Sequence, residues 1–188
     1  MNIKLVFKLL GRILSMEAAV LVLPMAVALL YHESPMPFVW SILVILCISL
    51  PLSFLPAERH FHVREGFVSV GLLWLLTGVV GGLPFYFSGY FNSFIDCVFE
   101  ASSGFTTTGA TILTNIEALP YGILFWRAFT HWLGGMGVLV LLTALLPSLG
   151  IRSHYLTQAE TPGPVFSKLV PKQSQTSKIL YGIYCAMT

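Results

Sequence analysis

From Gly66 to Phe87 the chain carries no charged side chain. A helix must present about 20 mostly apolar residues to cross roughly 30 Å of hydrocarbon. Four segments meet that length: Ile13–Tyr31, Phe38–Leu55, Gly66–Phe87 and Tyr121–Leu149. They are predicted as helices, because an isolated strand would leave backbone N–H and C=O groups unpaired in lipid. Only 10% of the residues are charged, against about 25% in a soluble domain. The fold class expected is therefore an all-α, multi-pass membrane protein in contact with lipid. A net charge of +2 gives no argument for nucleic acid as a partner.

Lys and Arg set the expected direction of the spans. Lys4, Lys8 and Arg12 precede the first span, Arg59 and Arg64 separate the second from the third, and Arg152, Lys168, Lys172 and Lys178 follow the fourth. With four spans, all of these fall on one side. The opposite side, His32–Pro37 and Ser88–Pro120, holds neither Lys nor Arg. The N-terminus is thus expected in the cytoplasm and Ser88–Pro120 outside. The first segment also imitates a signal peptide, with Ala26-Val27-Ala28 as a cleavage-like site. The short turn to a second span favours a hairpin instead.

Residues 150–178 read as a polar cytoplasmic linker broken by Thr161-Pro162-Gly163-Pro164. Ile179–Thr188 then opens a fifth apolar segment. Such a stretch rises only about 15 Å as helix, half a bilayer, so the sequence is expected to be the N-terminal part of a longer protein.

The long connection between spans three and four carries the chemistry. Ser93-x-x-Asp96 opens a capped helix, Phe94–Ser103. Gly104-Phe105-Thr106-Thr107-Thr108-Gly109-Ala110-Thr111 follows. Three β-branched threonines favour extended backbone, and Gly109 permits positive φ. A short helix running into such a strand has the form of a re-entrant pore loop. The chemistry it suits is ion dehydration. Moving a bare ion into low dielectric costs on the order of tens of kcal/mol, and rings of backbone carbonyls replace the lost water. Thr107, Thr108 and Gly109 would each supply a carbonyl, with a hydroxyl from Thr106 or Thr107. One strand makes a quarter of each ring, so four loops are required. Thr107-Thr108-Gly109 lines up with the TVG of the potassium-channel filter TVGYG. A threonine-rich loop without function is the alternative reading.

The residues around this loop resemble the Trk-type potassium uptake subunits (the TrkH/TrkG branch of the Trk/Ktr/HKT superfamily). The matching stretches are Arg64-Glu65-Gly66-Phe67, Leu83-Pro84-Phe85, Phe99 to Thr111, Leu119-Pro120, Gly134-Gly135-Met136-Gly137-Val138, Leu146-Pro147 and Ala159-Glu160-Thr161-Pro162-Gly163-Pro164. The resemblance implies four tandem helix–pore loop–helix repeats preceded by two extra helices. On that plan residues 1–60 hold the extra helices and 61–150 the first repeat, with its pore helix at about 93–103 and filter at 104–111. The linker is 151–178, and 179–188 starts the second repeat. It further implies potassium as the transported ion, held at the Thr107 and Thr108 main-chain oxygens, and no covalently bound cofactor. Implied partners are the three remaining repeats, a second copy in a homodimer and a cytosolic regulator that binds NAD or ATP. The implied location is the bacterial cytoplasmic membrane. Relatives with serine at the filter glycine tend to favour sodium, so Gly109 leans toward potassium.

Other residues invite a role. Glu100 lies near the C-terminal end of the pore helix, where an anion is disfavoured. Arg127 is the one basic residue of the fourth span, and the two are expected to pair. His131 is ionisable within that span. Gly134, Gly135 and Gly137 allow close helix approach, with a gating bend as the alternative. Cys47, Cys97 and Cys185 are isolated and read as small buried hydrophobes. No GxSxG, HExxH or Walker motif occurs. An intramembrane enzyme using His131 with Ser102 or Ser103, or a purely structural subunit, stands as the competing reading.

Overall fold

A computed structural model describes residues 3–56, 63–137, 179 and 182–187, and at 63–67 and 136–137 the backbone only. The described residues form helices α1 (Ile3–Val20), α2 (Val22–Leu30), α3 (Met36–Ser53), α4 (Val63–Gly81), α5 (Leu83–Ser88), α6 (Phe94–Phe105) and α7 (Tyr121–Trp132). A π-helical turn, Leu133–Gly137, extends α7. Among the described residues, three stretches are long and apolar enough to cross a membrane: Ile3–Leu30, Met36–Ser53 and Val68–Ser88. Residues 138–149 of the expected fourth span, and the linker after it, lie outside the described residues.

The first span starts ten residues earlier than its apolar run suggested, at Ile3 rather than Ile13. Leu5, Val6, Leu9, Leu10 and Leu14 recur at helical spacing and bury one stripe. That stripe keeps Lys4, Lys8 and Arg12 inside the helix instead of before it. The span is also broken at Leu21. Pro24 has no N–H to give the carbonyl of Val20, four residues back. The same cause splits the third span at Gly82, since Pro84 leaves the carbonyl of Val80 without its donor.

Helices α1 and α3 pack together, small residues at their contact. Ser15 donates to the Ser49 hydroxyl at 3.0 Å, and Gly11 lies against the backbone of Ser49–Ser53. Helix α4 leans on α1 and α6, and α7 on α2 and α6. The enclosed element is α6. Its stripe Cys97, Ala101 and Phe105 is buried with Phe85, Ile123 and Trp126. Trp126, fully buried, donates its indole N–H to the Gly81 carbonyl at 2.9 Å. Facing outward are Leu30, Trp40, Leu75 and Ile95, side chains suited to lipid. Cys97 is buried as expected, whereas Cys47 and Cys185 are exposed on this outer surface.

Candidate functional site

The site is built on the C-terminal end of α6. At its start Ser93 Oγ accepts from the Asp96 N–H at 3.2 Å. The helix runs two residues past the expected Ser103, to Phe105. It closes in a Schellman pattern: Thr107 N–H donates to Gly104 O at 2.9 Å and Thr108 N–H to Ser103 O at 3.0 Å.

That cap corrects the expectation of three extended threonines. Thr106 is right-handed (φ −80°, ψ −2°). Thr107 occupies the position usually given to glycine, at φ 57°. A left-handed conformation costs a β-carbon residue roughly 1–2 kcal/mol, and a β-branched residue there is a true outlier. The preference of threonine for strand is overridden by bonds to Ser103 on both sides of the loop. Besides accepting from Thr108, Ser103 donates its hydroxyl to the Ala110 carbonyl at 2.6 Å. Gly109 takes φ 74° at no such cost, with open space where a side chain would stand.

Fastening at both ends leaves a row of free oxygens. Among the described residues, no N–H or O–H donates to the carbonyls of Thr106, Thr107, Thr108 or Gly109. The hydroxyls divide differently. Thr106 Oγ1 donates to Ser102 O at 2.8 Å and lies 2.8 Å from Thr108 Oγ1. The proton of the Thr106 hydroxyl thus helps to hold the helix end.

Behind this loop sits Glu100, 2% exposed. Its Oε1 accepts from Arg127 Nε of α7 at 2.5 Å. Its Oε2 accepts from Thr111 Oγ1 at 3.0 Å and from the Ile112 N–H at 3.4 Å. One carboxylate therefore ties the helix before the loop to the chain after it and to the next helix. A buried carboxylate near a helix C-terminus needs such partners.

His131 places Nδ1 at 2.9 Å from the Arg127 carbonyl. A carbonyl accepts only, so Nδ1 carries the proton. Neither Ser102 nor Ser103 bonds to His131, and the Ser103 proton is committed to Ala110. Nothing here resembles a nucleophile with its base. Gly134 faces the Phe105 carbonyl so closely that a β-carbon would fall on it. Gly135 lies against the ring of Tyr184, and Gly137 ends the π-turn. Tyr184 donates its hydroxyl to the Trp132 carbonyl at 3.0 Å.

Two contributors escape sequence reasoning, Tyr184 and Glu33, and Ser103, considered there only as a nucleophile, instead braces the loop. Glu33, in the turn between α2 and α3, accepts from the Tyr121 and Gly122 N–H groups at 2.8 and 2.9 Å. A signal existed. Pro120, the N-cap of α7, has no side-chain acceptor, so the first amides of that helix needed one from elsewhere.

Residues 36–188 match the TrkH family of cation transport proteins. The Trk system potassium uptake protein TrkH of Vibrio parahaemolyticus is 39% identical over 194 residues, covering 100% of this chain and 40% of that protein. TrkG of Escherichia coli is 36% identical, covering 86% of this chain and 34% of its own length. An uncharacterized cation transporter of Methanocaldococcus jannaschii is 30% identical across all of this chain and 39% of its own. The crystal structure of the Vibrio TrkH superposes with a TM-score of 0.76 at 35% identity, over 99% of this chain and 37% of that one. This chain thus spans about two fifths of the length of these TrkH relatives. With matching sequence along its whole length, a shared fold and the family match over most of its residues, the chain belongs to the TrkH family of cation transport proteins, a family of transporters and not of enzymes.

Proposed function

We propose that this chain supplies the first of four pore loops of a potassium uptake pore in the bacterial cytoplasmic membrane. The observation that carries this is the row of carbonyls from Thr106 to Gly109, tied to Ser103 at Thr108 and Ala110 and left without donors among the described residues. A carbonyl that already accepts an internal hydrogen bond offers an ion only part of its lone-pair density. Free ones on a braced loop replace water around a monovalent cation without reorganising first.

In this reading α4 and α7 flank the loop as the outer helices of the first repeat, α6 is the pore helix, and α1–α3 form the extra N-terminal pair. The main-chain oxygens of Thr107 and Thr108 hold potassium, with Thr106 and Gly109 completing the row. Gly109 favours potassium over sodium. The three other loops come from sequence outside these 188 residues. A second copy forms a dimer, and a cytosolic protein binding NAD or ATP acts on the linker 151–178. The N-terminus lies in the cytoplasm in this reading, which the Lys and Arg distribution supports.

The test is expression from the native gene, with its own downstream sequence, in a bacterium lacking potassium uptake. Growth at low potassium and uptake of radioactive rubidium are expected, with sodium taken up more slowly. Residues 1–188 expressed alone are expected to give no uptake. Rescue by that segment without other subunits, or equal rates for sodium and rubidium, contradicts the reading.

A further inference from the structure

Glu33 lies far from the loop in sequence, yet it reaches the loop through an unbroken series of contacts. Its own backbone is locked. His32, at φ 56°, closes α2, and the Glu33 N–H donates to the Ala28 carbonyl at 2.8 Å. From that fixed position its two carboxylate oxygens take the first two amides of α7, at 2.8 and 2.9 Å. These are donors that a helix leaves unpaired and that an anion satisfies best. Tyr31 stacks on Tyr121 beside them, ring centroids 4.3 Å apart. The start of α7 is therefore pinned to the turn between α2 and α3.

A helix is stiff along its axis. Arg127 follows Gly122 by about 7.5 Å of rise, so its height is set by where the helix begins. Arg127 holds Glu100, and Glu100 holds Thr111 and Ile112, the residues that follow the row of carbonyls. A shift of α7 along its axis moves Arg127 with it, and the Glu100 carboxylate must then follow or release the loop.

We propose that Glu33 is a positioning residue for ion selectivity: through the N-terminus of α7 it sets the register in which Arg127 and Glu100 brace the carbonyl loop. The proposal rests on the reading of that loop as a selectivity filter. It gives the N-terminal hairpin a task beyond anchoring. That task calls for a carboxylate at 33, because two oxygens are needed for two amides.

The experiment uses the protein expressed from its native gene, with Glu33→Gln, Glu33→Asp, Glu100→Gln and the Glu33→Gln/Glu100→Gln double variant. Rubidium and sodium uptake are measured per molecule in the membrane. Glutamine keeps the shape but turns an amide N–H₂ toward a backbone donor. The expected result is a several-fold fall in the rubidium-to-sodium ratio for Glu33→Gln, with a ratio in the double variant no lower than in Glu100→Gln alone. Glu33→Asp, which keeps the charge, should recover part of the ratio. An unchanged ratio, with uptake falling only as membrane abundance falls, overturns the proposal. So does a double variant whose loss is the product of the single losses. If glutamine and aspartate variants both fail to reach the membrane, Glu33 serves folding alone and the proposal falls. An unmodified protein that does not discriminate between the ions overturns the filter reading itself, which separates the two failures.

Discussion

Glu100 accepts from Arg127 at 2.5 Å with one carboxylate oxygen and from Thr111 with the other. The carboxylate sits behind the loop that carries the free carbonyls, so two of the loop's neighbours are fixed by a single side chain. An ion pair held this deep adds little net stability, but removing one partner strands the other charge, typically at about 3–5 kcal/mol.

Glu100→Gln and Arg127→Gln are each expected to lower thermal stability of the purified protein markedly. The double variant should lose clearly less than the sum of the two, because neither charge is then stranded. A double-mutant cycle on melting temperatures reads this coupling. Additive losses would show that the 2.5 Å contact is not an energetic pair.

Thr107 offers a different separation. Its left-handed backbone, φ 57°, costs threonine roughly 1–2 kcal/mol, while glycine pays only its extra chain entropy, about 0.5–1 kcal/mol. Thr107→Gly should therefore leave stability unchanged or slightly raised. It should also loosen the loop, lowering the rubidium-to-sodium uptake ratio. A stable variant with an unaltered ratio would mean that the rigidity of this residue has no part in selection.

What the sequence makes legible follows the range of the forces involved. The apolar runs reveal the spans because burial in lipid is a property of composition, and Ser93 reveals the start of α6 because capping is local. The N-terminal start of α1 is hidden because Lys4, Lys8 and Arg12 read as a flank until the stripe from Leu5 to Leu14 finds its partners on α3 and α4. Pro24 and Pro84 stood in plain view as helix breakers, yet hydropathy averages over them. At the loop, the residue types are legible in the sequence and their conformation is not. Threonine's local preference is for strand, and only the bonds from Ser103 to Thr108 and Ala110 reverse it. The bond of Glu33 to α7 crosses 88 positions of sequence: Pro120 shows that the start of α7 lacks a local acceptor, but pattern along the chain does not name the distant residue that supplies it.

Ser103 makes the next prediction. Replacing it by alanine leaves its main-chain bond to Thr108 and removes only the hydroxyl that holds the Ala110 carbonyl. The direct cost is about 1 kcal/mol, small enough for the protein to fold. The freed end of the loop should show as faster sodium uptake at similar membrane abundance. Cysteine at 103, a weaker donor, should fall between alanine and serine. No difference in sodium uptake between the three would remove the Ser103–Ala110 bond from the account of the loop.

Gly134 and Gly71 form a matched pair, since both lie in helical backbone and both accept a single added methyl group as the test. At Gly134 the added carbon falls on the main-chain carbonyl of Phe105, the last residue of α6. Backbone does not yield as a side chain does, so α7 must move away from the end of α6. Overpacking of this kind costs about 1–3 kcal/mol. At Gly71 nothing lies within 4 Å, and alanine gains up to about 1 kcal/mol of helix propensity. Gly134→Ala should therefore lower both melting temperature and rubidium uptake, while Gly71→Ala leaves uptake intact and raises melting temperature slightly. Equal behaviour of the two variants would mean that α7 does not rest on the carbonyl of Phe105. The brace from Arg127 to Glu100 would then lack the close approach at Gly134 that keeps it within reach of the loop.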